Sequence, residues 1–440
     1  MRNTPISEIA RRLMLGCESD GVVTGYQVDS RRIGPGELFF ALGGDRVDGH
    51  QFLGDVAASG GLGAVVSTQY AGPAFGLVLL RVVDVLGALQ GLAKSMLADS
   101  KAVVVGITGS MGKTTTKDFT ATLLEGKFRV GKTYSSYNTK LTLPITVLNL
   151  RGDEEVVVLE MGMGEPGDIA KLVEIAPPDI AVITQVAMAH YGDLFLDGTA
   201  GVARAKAEIF GHPKLKKAIF YHHLHADVVT AIRCEKVSYS LQDRSGDYFL
   251  AGGVVDERGV RAFRFEIPFS EPHIQHNFLG AVAIARALKM GWDEIEGQVA
   301  KLTLPKMRFE RSERNEVLFI NDAYNANPDS MKAALSCFPE PKVGGKRIAV
   351  LGRMVDLGPY SVALHEEVGR FAQDRVDHLI TLGNEAKPLY DQFVQTKRPA
   401  EHYTDIKSVA KRLKQLVRPG DVVLIKGSRD LAMETLVEGS

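Results

Sequence analysis

The chain has 440 residues, of which 52 are basic and 53 acidic, giving a formal charge of −1. That balance offers no field to recruit nucleic acid or an anionic membrane, so any phosphate binding has to be built locally. Cys17, Cys234 and Cys337 are too scattered for a disulfide framework or a zinc ribbon, and no run of about 18 apolar residues could span a bilayer; the chain reads as cytoplasmic.

At ~150 residues per domain, the length predicts about three domains. The N-terminal stretch MRNTPISEIARRLML lacks the apolar region of a signal peptide. From there to residue 98, short β-like runs (FFAL at 39–42, GAVVS at 63–67, LVLLRVV at 77–83) alternate with alanine-rich helical stretches, a small α/β domain over 1–98.

A second domain is expected over 99–312. Its strand AVVVGITG opens at 102 and leads into the helical pattern TTTKDFTATLLEGKF. Strands at 155–160 and 180–184 and a buried helix at 276–288 follow, and strands alternating with helices imply a mostly parallel sheet covered on both faces. After KMRFERSER the composition shifts again. The strands VLFIND, KRIAVLG, HLITLG and DVVLIKGS predict a C-terminal Rossmann-like α/β domain over 313–440, so the whole chain is read as a three-domain α/β protein.

The segment GITGSMGKTTT at 106–116 carries the most specific chemistry, although the usual phosphate-loop spacing would put a glycine where Ile107 stands. Gly109 and Gly112 permit a tight turn in which the N–H groups of Thr108–Thr115, including Ser110 and Met111, can point at phosphate oxygens. Lys113 would neutralise phosphate charge and Thr114 would offer a hydroxyl to Mg²⁺. A glycine turn with a surface lysine is the bland alternative; the strand before and the helix after favour the nucleotide site. Glu160 ends the strand EVVVLE at the edge where α/β ligands bind, and a hard cation favours such an oxygen ligand.

In DAYNANPDSM, the amides of Asn325 and Asn327 suit an adenine edge and Tyr324 could stack on a ring. The same residues also read as a turn before a helix, with Asp329 or Ser330 as N-cap. YHHLHAD at 221–227 lacks partner ligands at zinc spacing and reads as an exposed loop.

Taken in order, the phosphate loop, VDSRRIGPGELFFAL, DGHQF, AH at 189–190, ARAKAEIF, HNFLGA, DAYNANPDSM and KGSRDLAME resemble the Mur ligase family, ATP-dependent amide-forming enzymes of peptidoglycan precursor synthesis. The likeness runs over nearly the whole chain. That family's loop reads TGxxGKT, which removes the need for a glycine at Ile107. DAYNANPDSM and KGSR are most similar to the member that joins D-alanyl-D-alanine to UDP-N-acetylmuramoyl-tripeptide.

The resemblance implies a cytoplasmic, monomeric enzyme that uses ATP and two Mg²⁺ ions and passes through an acyl phosphate. It also implies residue roles. Lys206 would be carbamylated and share a second Mg²⁺ site with His190 and Glu160, while Asn277 and Arg308 would lie near the nucleotide and its phosphates. Ser30, Arg31, Asp48 and His50 would hold the uridine diphosphate, Asn138 would meet the tripeptide, and Lys426, Ser428 and Arg429 would meet the amino-acid substrates.

Several positions depart from the family pattern: Thr139, Thr142, Gln185, Ala187, Arg353, Asp356 and Pro359. A sister ligase adding a diamino acid or glutamate is the nearest alternative, but its DNPR-like motif is absent from the third domain. A catalytically silent paralogue would be expected to have lost Lys113, Glu160 or Lys206, and all three are present.

Overall fold

The computed structural model describes residues 3–44, 47–186 and 198–438. Three main sheets follow one another along the chain, each starting where the apolar patterning renews itself.

The first sheet has four parallel strands in chain order, Tyr26–Gln27, Leu38–Phe40, Gly63–Ser67 and Val78–Val82. Its helix Val85–Ala98 buries Leu89, Leu92, Ala93 and Met96 in a core continuous with that of the central sheet. A polar clasp reinforces the junction. The Asn149 side chain accepts from Tyr26 N–H at 3.1 Å and donates to Tyr26 C=O at 2.9 Å, mimicking a neighbouring strand.

The central sheet has nine strands. From one edge they run 261–264, 254–257, 248–251, 235–240, 217–221, 180–183, 103–108, 156–160 and 130–132; all pairs are parallel except the two at the 261–264 edge. Val103–Thr108 and Val156–Glu160 are near-continuous apolar runs because both faces are covered, as parallel strands require. Chain order reverses at Val103–Thr108: one connection leads out to the 130–132 edge, and the chain then returns to 180–183 on the other side. Such a switch point leaves a crevice at the C-terminal strand ends. The helix Pro272–Ala287, apolar on almost every side, lies in the core next to the phosphate-loop helix Lys113–Leu124.

The third sheet has six strands in the order 310–314, 317–321, 422–426, 347–352, 378–382 and 400–403, with only the first pair antiparallel. Its first strand, Glu310–Arg314, lies across residue 313. The last strand of the chain inserts beside Val317–Asn321, which creates a second switch point and brings Lys426 next to Asp322. Phe309, Ile320 and Met331 belong to a core shared with the central sheet.

Candidate active site

Where the two switch points face each other lies a cleft of about 500 Å³, lined by the phosphate loop, Glu160, Lys206, Asn277, Arg308, Asp322, Tyr324 to Asn327 and Lys426. The phosphate loop leaves the buried strand and enters its helix through Gly112, whose φ of 81° lies in the left-handed region. A Cβ there would fall well inside van der Waals contact of Asn277 Oδ1 and 3.0 Å from its Cγ. Glycine is therefore required both by conformation and by the close approach of the neighbouring helix.

The loop is held from the opposite strand end. Thr184 Oγ1 donates to Met111 C=O at 2.6 Å, and Ser110 N–H donates to Gln185 C=O at 2.6 Å. Gln185 departs from the family pattern in its side chain, yet its contribution here comes from the backbone. Ile107, the residue in place of the first glycine, is fully buried in the strand and packs in the core.

Glu160 is only 1% exposed and organises the oxygen-rich side of the cleft. Its Oε2 accepts from Thr114 Oγ1 at 2.9 Å and its Oε1 from Asn138 Nδ2 at 2.7 Å, while its N–H donates to Thr133 Oγ1 at 2.9 Å. Carboxylate and hydroxyl oxygens on one side of a phosphate loop are the hard donors that Mg²⁺ accepts.

Basic side chains stand around that carboxylate. Lys113 Nζ donates to Gly109 C=O at 2.7 Å, and burial lowers its pKa, partly offset by Glu160. Lys206 is 1% exposed and its pKa is driven well below the ordinary lysine value, first by burial and then by the charge of Lys113. Among the described residues it makes no ion pair. Arg308 reaches Thr114 Oγ1 at 3.4 Å, lies 4.0 Å over the Tyr324 ring, and has its Nε buried without a partner among the described residues. Lys113 and Arg308 give this side of the cleft a positive field fitted to a polyphosphate, with Lys206 beside them as a buried amine whose charged form is disfavoured.

The third sheet contributes a locked corner. Lys426 Nζ bonds Asp322 Oδ2 at 2.6 Å and Asn325 C=O at 3.0 Å, so a buried ion pair shapes the DAYNAN turn. The helix Pro328–Ser336 is capped by Asn327, which accepts from Ser330 N–H at 2.8 Å while Ser330 Oγ accepts from Asn327 N–H at 3.0 Å. This corrects the expected cap at Asp329 or Ser330: Pro328 occupies the first helical position, so the cap is the residue just before it, Asn327. The Asn327 oxygen is thereby committed to the helix, as the Asn325 oxygen is to Ala326 N–H.

Other expected site residues lie apart from this cleft's lining. Asp29 caps the short turn Ser30–Arg32 and pairs with the outward-facing Arg31. Asp48 caps Gly49–Phe52 and holds His50, whose Nε2 accepts from Ser67 N–H at 2.9 Å. Ser428 is buried and donates to Arg353 C=O at 2.9 Å, and Arg429 pairs with Glu434. Arg353, divergent from the family pattern, bridges Glu385 and Asp430. His190 and Ala187 lie outside the described residues. His222 of the histidine cluster bonds Ser245 Oγ and faces Asp243. Sequence reasoning missed His273, Lys140 and Asp168, which also line the cleft, because no local motif announces them.

Comparison with known proteins agrees with this architecture. The Mur ligase middle domain description matches residues 107–288, and that of the Mur ligase glutamate ligase domain matches 307–429. The UDP-N-acetylmuramoyl-tripeptide--D-alanyl-D-alanine ligase of Bacillus subtilis (strain 168) is 32% identical over 95% of this chain and 93% of its own length. That of Escherichia coli (strain K12) is 31% identical over 95% and 94%. Among solved structures, MurF from Acinetobacter baumannii superposes with a TM-score of 0.87 at 26% identity, covering 100% of this chain and 98% of that one. MurF ligase from Thermotoga maritima in complex with ADP gives 0.78 at 28% identity, over 94% and 96%.

With the phosphate loop in a cleft between the central and third sheets, these relatives place the chain among the ATP-dependent ligases. The chain belongs to the Mur ligase family.

Proposed function

We propose that this enzyme joins D-alanyl-D-alanine to UDP-N-acetylmuramoyl-tripeptide at the expense of ATP, giving UDP-N-acetylmuramoyl-pentapeptide, ADP and phosphate. The observation that carries the assignment is full-length similarity to ligases of that name, over a cleft that retains Lys113, Glu160 and Lys206 together. A carboxylate is a poor acyl donor. The terminal carboxylate oxygen of the tripeptide attacks the γ-phosphorus, ADP leaves, and the amine of the dipeptide displaces phosphate from the resulting acyl phosphate, losing a proton as the amide forms.

The residues' work is positioning and charge neutralisation. The amides of Gly109 and of Met111 to Thr115, with the Lys113 side chain, hold the β- and γ-phosphates, while the Ser110 N–H stays on Gln185 C=O and Thr108 ends the strand beneath them. Arg308 balances charge at the transferring group, while Tyr324, Asn325, Asn327 and Asn277 frame the nucleotide. Mg²⁺ would be held by Thr114 and Glu160, with Lys206 and His190 serving a second ion. It supplies charge neutralisation at the phosphate oxygens.

Lys206 can serve a cation only as a carbamate. Its amine nitrogen adds to CO₂, forming an N–C bond and releasing one proton, and burial favours the neutral amine that this step needs. Ser30, Arg31, Asp48 and His50 bind the uridine diphosphate, and Asn138, Lys426, Ser428 and Arg429 bind the peptide substrates. We assign these tasks to domains at 1–98, 99–312 and 313–440, in a cytoplasmic monomer.

The test is phosphate release by the purified protein with ATP, Mg²⁺, the UDP-linked tripeptide and D-alanyl-D-alanine, omitting each in turn. Release that requires all four, with pentapeptide detected by mass, is expected. Release that ignores the dipeptide but answers to a diamino acid or glutamate would transfer the chain to a sister ligase.

A further inference from the structure

Lys117 takes no part in the chemistry above, yet it is among the most deeply buried side chains of the molecule, at 1% exposure. It lies one turn after Lys113 on the phosphate-loop helix, a like-charged i, i+4 spacing that disfavours the helix. Burial lowers its pKa, with Asp118 and Glu160 acting against the shift. An apolar residue would be the simpler occupant of this position, so the ammonium has to answer to something at its tip.

Its Nζ donates to two backbone carbonyls of a single segment, Thr133 at 3.0 Å and Ser135 at 2.6 Å. Ser135 has a φ of 48°, the left-handed conformation that an L residue adopts only when its surroundings hold it there. The same segment supplies the contacts of Glu160: Thr133 Oγ1 receives the Glu160 N–H, and Asn138 Nδ2 grips the carboxylate. Ser136 Oγ stands 3.4 Å from Thr114 Oγ1.

We propose that Lys117 is a positioning residue that clamps the backbone of 133–135 to the phosphate-loop helix and so fixes the Glu160 carboxylate against Thr114. The clamp works through hydrogen bonding: the ammonium is the donor that lets two carbonyls turn inward, and their placement sets where Asn138 presents its amide. This rests on Glu160 and Thr114 being the Mg²⁺–nucleotide centre.

The experiment compares wild type with Lys117→Met and Lys117→Gln. It measures amide hydrogen exchange over 133–139 and the affinity for a nonhydrolysable ATP analogue, with Mg²⁺ and with EDTA. In Lys117→Met, exchange over 133–139 is expected to quicken at least tenfold and the gain in affinity on adding Mg²⁺ to fall at least tenfold. Affinity in EDTA should stay within about twofold of wild type. Lys117→Gln, shorter but still a donor, should fall between the two and serves if the methionine variant does not fold. Unchanged exchange and an unchanged Mg²⁺ gain, even with a lower melting temperature, would make Lys117 merely structural and overturn the proposal. A wild type whose analogue binding ignores Mg²⁺ would overturn it as well. A wild type that binds the Mg²⁺ analogue but forms no amide would remove the ligase assignment and leave the clamp to be judged by the variants.

Discussion

Replacing Gly112 by alanine is the most direct perturbation of the loop. The residue has a φ of 81°, and its new Cβ would collide with Asn277 Oδ1. Left-handed backbone costs an L residue about 1–2 kcal/mol, and driving Asn277 off its rotamer adds about 0.5–1.5 kcal/mol. If the loop relaxes to escape this, that energy has to be spent on restoring the phosphate-binding shape. A total of about 2–3 kcal/mol corresponds to an ADP affinity weakened roughly 30- to 150-fold. The control is Gly91→Ala, in the exposed middle of a helix where a Cβ meets nothing within 4 Å. It should stabilise the protein by about 0.5–1 kcal/mol and leave ADP binding alone. Calorimetric titration with ADP alongside thermal unfolding distinguishes the two. Gly112→Ala binding ADP within threefold of wild type, with an unchanged melting temperature, would refute the loop geometry.

Three further expectations concern Lys206 and Asn149. The folded pKa of unmodified Lys206 lies well below its unfolded value, so between them the unfolded chain binds the extra proton and stability rises with pH. In CO₂-free buffer, Lys206→Met should therefore be more stable than wild type at neutral pH, with the advantage shrinking as pH approaches the ordinary lysine range; denaturant unfolding across that window would expose the opposite slope. Lys206→Ala should be nearly inactive and partly rescued by short carboxylic acids, and an undiminished rate would take Lys206 out of the site. Asn149→Ala removes both side-chain bonds to the Tyr26 backbone and should cost about 1–3 kcal/mol, read as a lower denaturant midpoint. No change would mean that apolar packing alone holds the first sheet to the central one.

Much of the candidate site's framework was legible because its signals are local. An apolar strand, two glycines and a helix within 103–124 specify a phosphate loop whatever the rest of the chain does, and Glu160 could be placed because it ends its own strand. The helix anticipated at 276–288 is found at Pro272–Ala287, shifted to start behind a proline at its first position. The strands between 235 and 264 escaped notice because each has only four to six residues; three of them mix charges with apolar residues, and the apolar Tyr248–Ala251 is too short to show a period. The DAYNAN turn was legible as a turn, but its cap was misplaced by residues that are all competent to cap.

The sequence by itself determined the three α/β segments, the strand–glycine turn–helix of the loop and the carboxylate at a strand end, since hydrophobic period and turn residues act over a few neighbours. Tertiary structure alone decided the strand order. Pairing in a parallel sheet is set by burial between segments far apart in sequence, and no local pattern encodes which strand inserts beside which. That order puts Lys426 against Asp322, Arg308 over Tyr324 and Lys117 beneath the segment that holds Glu160. A lysine looks the same in the text whether it meets solvent, a phosphate or two backbone carbonyls; only the packing around its tip assigns it a task.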